Sequence, residues 1–252
     1  MNQTNAIFII LITIISCKVI PHKIKYQNMI HINPVFEKLD TALYWNRSSN
    51  PEWNEEKETF NKPNGNLIYI TVDSNEGFEE IIYVSAPEFY KIRKTFYIDG
   101  FIKSKGLDMG AISREGGFGY GIKIGLWYYF DDKGKLTKTV NEDEKFGKFG
   151  YNELLHFLDK EHVINIRTGE NREELKVFFD EIEKFWIVEV YNKVKAHIEN
   201  GERDIDTKDG FGYKIDGHTG KVLYKRKQHY IQSMGRTEFE YIIKEPRKSI
   251  IL

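Results

Sequence analysis

Residues Gly125 to Lys138, GLWYYFDDKGKLTK, decide how this chain is read. An aromatic run enters the polar pivot Asp131-Asp132-Lys133-Gly134, and a shorter alternating stretch leaves it. That is the pattern of two antiparallel strands joined by a tight turn, with Gly134 available for positive φ. Side chains alternate along a strand, so Trp127, Tyr129 and Asp131 share one face while Tyr128 and Phe130 share the other. Aromatics on both faces predict that both are covered. The pattern returns in the second half at Phe211 to Lys225, FGYKIDGHTGKVLYK, around the turn Asp216 to Gly220. Together the two stretches predict an α+β chain that is predominantly antiparallel β. A hairpin-rich N-terminal module is expected first, followed by a helix plus antiparallel sheet.

Working outward, Leu67 to Val72, Glu80 to Ser85 and Tyr90 to Ile98 are β-branched and aromatic runs bounded by Asp, Asn, Gly or Pro, and read as strands. In the last of these Lys91, Arg93 and Thr95 alternate with Ile92, Lys94 and Phe96, which predicts a strand polar on both faces and near a sheet edge. Pro34 to Trp45 fits a short helix or an edge strand, and Asn46 to Asn66 reads as a loop around Trp53 and Phe60. Tyr151 to His162 carries Leu154, Leu155, Phe157 and Leu158 on a helical face, with Asn152 as the expected cap. Asn171 to Asn192 fits either one helix or two strands joined through Asp180 to Lys184, with FWIVEVY, Phe185 to Tyr191, the firmer strand. The charged, glycine-bearing Asn141 to Gly150 is the candidate boundary. The expected organisation is 1–16 a leader, 17–66 tether and loop, 67–149 a β-rich module and 150–252 an α+β module.

Composition narrows the function. A chain of 252 residues, 40% hydrophobic and 14% aromatic, can bury a sizeable core. Its 37 basic and 38 acidic residues leave a net charge of −1, without the basic field that nucleic acid requires. Cys17 is the single cysteine, so no intrachain disulfide or thiolate metal cage can form. Ala6 to Ser16, AIFIILITIIS, falls short of the roughly 20 residues of a spanning helix and has the length of a signal-peptide core. It ends in Ile14-Ile15-Ser16-Cys17, which resembles the lipobox of bacterial lipoproteins. The resemblance implies cleavage before Cys17, lipidation of its thiol and new amine, and a bacterial cell-envelope protein anchored in the outer membrane or a periplasm-facing membrane.

Two further resemblances are carried by short motifs. Gly125, Trp127, Tyr128, Tyr129, Gly134, Lys135 and Leu136, with Tyr97, Asp99, Gly100 and Ile102 as a weaker preceding unit, resemble the bacterial MORN-repeat variant of antitoxin-type proteins. That implies an immunity or antitoxin role against a toxin or peptidase as an alternative function. The helix, Trp186-Ile187-Val188, and Asp216, Thr219, Gly220, Lys221 and Val222 are similar to PepSY-like domains of envelope proteins. In that comparison Lys193 to Asp209 is an insertion and Thr237 to Lys244 an extra strand. The resemblance implies interaction or inhibition, with no shared catalytic residues.

Motifs for chemistry are missing from the sequence. It contains no G-x-S-x-G, no H-E-x-x-H and no Cys-His pair, and the glycines from Gly110 to Gly125 lead into an aromatic strand instead of a phosphate-cradling helix. The histidines, among them His156, His162, His218 and His229, are scattered. Asp204 to Gly210 resembles part of a calcium loop but lacks its terminal bidentate Glu. The pairs Asp131-Asp132, Glu79-Glu80 and Asp204 with Asp206 read as solvated turns. The expectation is therefore a non-enzymatic protein without catalytic, cofactor or metal residues, held to the membrane by Cys17 and binding an envelope protein or glycan. Trp127, Tyr128, Tyr129 and Trp186 are either its binding surface or its core.

Overall fold

The computed structural model describes residues 30–55, 58–73, 77–110, 121–199, 202–231 and 236–243. Among these the chain is mostly antiparallel β, in two sheets. The first holds β1 (Trp53–Asn54), β2 (Thr59–Asn61), β3 (Leu67–Asp73), β4 (Gly77–Tyr83), β5 (Tyr90–Phe96), β6 (Ile102–Met109), β7 (Ile122–Phe130) and β8 (Leu136–Asn141), each hydrogen-bonded to the next. The second holds β9 (Leu175–Asp180), β10 (Phe185–Glu199), β11 (Glu202–Asp216), β12 (Val222–Ile231) and β13 (Arg236–Ile243), again in sequential order. Among the described residues there are two α-helices, α1 (Thr41–Trp45) and α2 (Tyr151–Lys160).

Turn chemistry explains the sequential order. In the β7–β8 hairpin Asp131 Oδ1 accepts from the amides of Lys133 and Lys135, and Gly134 takes φ +78°. The β11–β12 turn repeats the device. Asp216 Oδ1 accepts from the His218 and Thr219 amides and the Thr219 hydroxyl, and Gly220 takes φ +72°. The Thr219 hydroxyl leads in holding the Asp216 carboxyl below its ordinary range, and the two amides assist. At β5–β6, Asp99 accepts from Phe101 and Gly100 takes φ +85°. Each aspartate closes its own loop, so each hairpin is specified locally.

One apolar cluster links the two sheets. It joins Ile92, Leu107, Met109 and Ile124 of the first sheet to Leu154, Leu155 and Leu158 of α2 and to Trp186, Val188, Val190, Tyr213 and Ile215 of the second. Phe146, from the segment expected to be a boundary, lies inside this cluster, stacked on Trp186 at 4.9 Å. A second cluster, with Phe60, Ile70, Phe78, Phe96, Ile102, Tyr128 and Phe130, occupies the other end of the first sheet, with Leu39 packed on it.

Several expectations are corrected. Strand β5 lies inside the eight-stranded sheet and not near its edge, and Lys91 is buried. Its cations face carboxylates on neighbouring elements, which local sequence does not reveal. Glu79 and Glu80 are not a solvated turn: they sit on β4, pointing to opposite faces, and pair with Arg93 and Lys94. Residues 193–199 and 202–209 are paired strand, the continuation of β10 and β11. Asn152 does not cap α2. Gly150 holds the cap position, and its amide donates to Glu153 Oε2 at 2.9 Å. The ambiguous 175–184 stretch is strand and turn, and Asn46 to Asn66 carries a short 3-10 turn and strands β1 and β2.

Residues 30–39 form a strap over the first sheet. The Ile30 amide donates to the Tyr90 hydroxyl, Leu39 donates to the Gly100 carbonyl, and the Ile102 amide donates to the Glu37 carbonyl. Beneath it Lys94 and Lys105 stand directly opposed on β5 and β6, a pairing that repels. Glu37 resolves the conflict by placing one carboxylate oxygen 2.6 Å from each ammonium, while Glu80 takes Lys94 at 3.2 Å. Burial alone would raise the Glu37 pKa, but the two ammonium groups outweigh it and hold the carboxyl below its ordinary range.

Candidate functional site

The aromatics singled out by sequence are mostly interior. Trp127 is 1% exposed, and its indole N–H donates to the Leu107 carbonyl at 3.1 Å. Its ring lies where a side chain at Gly106 would otherwise be: a Cβ there would come within 2.3 Å of the indole. Tyr128 belongs to the second apolar cluster, and Trp186 is fully buried, donating to the Phe149 carbonyl at 2.9 Å. Tyr129 is half-buried beside the ammonium of Lys123, which lies 4.1 Å from the Trp127 ring centre and 5.3 Å from that of Tyr129. These residues form core and a cation-covered sheet face. Cys17 lies outside the described residues.

An open cavity instead forms where α1 and the following 3-10 turn meet β1 and β3. It encloses about 520 Å³ and is lined by Trp45, Arg47, Ser48, Glu55, Glu58 and Thr71, with Tyr44, Trp53 and Tyr69 as its aromatic walls. Asp40 starts the helix by accepting from the Ala42 and Leu43 amides, which sets the direction in which Trp45 leaves it. Trp45 is 60% exposed, yet its ring packs nearly perpendicular to those of Tyr44 at 5.0 Å and Phe78 at 6.2 Å. Arg47 lies across Tyr44 at 4.5 Å and faces Trp53 at 5.5 Å, and it donates to the Tyr44 carbonyl at 3.0 Å. The arrangement is a rigid aromatic platform with hydroxyl, guanidinium and carboxylate groups around it.

None of these residues was expected from sequence to form a site: they fall in stretches read as an ambiguous element and a loop around Trp53. The available signal was density: Tyr44, Trp45 and Trp53 lie within a few residues of Arg47, Glu55 and Glu58.

A second cavity of about 580 Å³ opens on the far end of the five-stranded sheet, with Phe211 and Phe239 among alternating charges from Lys193, Asp209, Lys227 and Glu238. His229 Nδ1 and Asp209 Oδ1 pair there at 2.5 Å, and His197 pairs with Asp206 at 2.8 Å beyond them. Asp204 to Gly210 runs as extended strand β11, a backbone that does not wrap a cation. Among the described residues no group of three or more His, Cys, Asp or Glu is placed to hold a metal.

Asp108 on β6 has a strongly perturbed carboxyl. It is fully buried, and among the described residues neither oxygen takes a hydrogen bond. Burial pushes its pKa up to about 6, against the pull of Arg93, Lys91 and Lys123 and with a push from Glu79. A carboxyl raised in the folded state contributes stability that is complete below its ordinary value near 3.8 and is lost as pH rises through about 6. Asp108→Asn, which cannot ionise, is therefore expected to gain about 1–3 kcal/mol relative to the natural chain between pH 5 and pH 8. Thermal melts of both proteins at the two pH values check this. A relative loss would mean that the three cations outweigh the burial.

Compared with known proteins, the sequence matches no family model and no curated protein.

Proposed function

We propose that the chain is a non-enzymatic binding protein of the bacterial cell envelope, anchored through a lipidated Cys17, whose α1–β3 cavity receives an envelope protein or glycan. The observation that carries the binding role is Trp45, a largely exposed residue packed against Tyr44 and Phe78 in a cavity rich in polar groups. An exposed aromatic held in place loses little freedom on binding, the property that makes Trp a recurrent anchor of binding surfaces. Non-enzymatic function is supported by the separation of groups. Asp108 and Asp143, the carboxyls raised by burial, line neither cavity, while Glu55 and Glu58 in the α1–β3 cavity are exposed.

The anchor rests on Ile14-Ile15-Ser16-Cys17. In this reading the sequence just after Cys17, with Lys18, Lys23 and Lys25, would serve as the tether to the lipid surface. A helix followed by a five-stranded antiparallel sheet supports the PepSY-like reading of the second half, and the aromatic β7–β8 hairpin supports the MORN-like reading of the first. Mass spectrometry of protein produced in a bacterial host tests the anchor. The expected mature N-terminus is a lipid-modified Cys17, and Cys17→Ser should leave the leader attached. Unlipidated natural chain that keeps Met1 would remove the envelope from this reading.

A further inference from the structure

We infer that the α1–β3 cavity is a saccharide site that stacks a neutral pyranose ring on Trp45 and hydrogen-bonds its hydroxyls through Glu55, Glu58, Arg47, Ser48 and Thr71. This rests on the binding role proposed above and names the ligand class. A pyranose has a face of C–H groups and a rim of hydroxyls that both donate and accept. It is complemented by an aromatic face surrounded by mixed donors and acceptors. The cavity supplies both: the 60% exposed indole, and carboxylates, hydroxyls and a guanidinium around it. Its volume of about 520 Å³ falls within the ~300–1,000 Å³ typical of small-ligand sites.

The same residues discriminate against other ligand classes. A quaternary ammonium or methylated lysine needs aromatic faces to enclose its charge, but the Arg47 guanidinium already lies against the Tyr44 and Trp53 rings. Among the described lining residues a phosphate or other polyanion would meet the carboxylates of Glu55 and Glu58 against the single guanidinium of Arg47. An extended peptide adding to the sheet edge would find in β1 only the two residues Trp53–Asn54 to pair with. A neutral sugar meets none of these obstacles. Arg47, held by its own stacking and by the Tyr44 carbonyl, is already oriented and loses little on contact.

The test uses purified full-length chain in detergent, immobilised on beads, with Trp45→Ala and Trp45→Phe as variants. Trp45 is exposed, so neither change removes a core side chain, and melting temperatures should confirm an intact fold. The beads are incubated with detergent-solubilised bacterial envelope that is untreated, protease-digested or periodate-oxidised. In parallel, chitotetraose, maltotetraose and mannotetraose are titrated calorimetrically. The expected result is retention that survives protease, disappears after periodate and falls at least tenfold in Trp45→Ala. At least one tetrasaccharide should bind the natural chain, with Trp45→Phe intermediate. Trp45-dependent retention that survives periodate but not protease would overturn the saccharide assignment while leaving a binding role at this cavity. Retention absent, or unchanged in Trp45→Ala, together with no tetrasaccharide binding, would overturn both.

Discussion

Trp127→Ala is expected to destabilise the protein by about 3–5 kcal/mol, the cost of deleting a fully buried aromatic and leaving the space open. The indole is 1% exposed, and its loss also leaves the Leu107 carbonyl without the donor it has at 3.1 Å. The hole cannot close easily, because Gly106 beneath the ring has no side chain to move into it. Gly106→Ala approaches the same contact from the other side, since its new Cβ would come within 2.3 Å of the indole and force the ring away. Urea denaturation checks both. A Trp127→Ala midpoint equal to that of the natural chain would mean that the ring is exposed in solution and would return β7 to the candidate binding surfaces.

Glu37→Ala should cost about 2–4 kcal/mol, nearly as much, although Glu37 lies in a strap and not in a strand. Removing the carboxylate leaves Lys105, 1% exposed, without its charged partner, while the Val35 carbonyl at 2.6 Å and the Asn33 side-chain oxygen at 3.3 Å remain. It also leaves Lys105 facing Lys94 across the β5–β6 pair without the bridge between them. The cost falls below that of a wholly buried pair because about a third of Glu37 remains in water. Lys105→Met removes the buried charge, keeps the bulk, and lets Glu37 retain Lys94, so alone it should be much milder. The double variant should recover most of what Glu37→Ala loses. Chemical denaturation of the two single variants and the double measures the coupling. Additive losses would show that the strap is held by its backbone bonds and not by this charge.

The hairpins were legible because their causes are local. Asp131, Asp216 and Asp99 each bond amides within four residues, and Gly134, Gly220 and Gly100 supply the positive φ beside them. The position of β5 was misread for the opposite reason. Its lysines and arginine resemble edge protection until their partners are known, and Glu37 meets Lys94 and Lys105 across 57 and 68 residues of chain. Aromatic content pointed to Trp127 and Trp186, yet composition cannot distinguish a ring on a surface from one lying over a glycine of the neighbouring strand, as Trp127 lies over Gly106. Trp45 went unnoticed because its value comes from exposure within a cavity, and part of its support, Phe78, lies 33 residues on.

By itself the amino-acid sequence determined that this chain folds as successive antiparallel hairpins, because alternation and Asp-Gly turn chemistry act over a few residues. The tertiary structure alone decided which charges are buried, which aromatics are core and where a ligand can sit. Those properties depend on residues far apart in the chain meeting across a sheet, and their energies come from desolvation and packing, which arise only once the sheets have assembled.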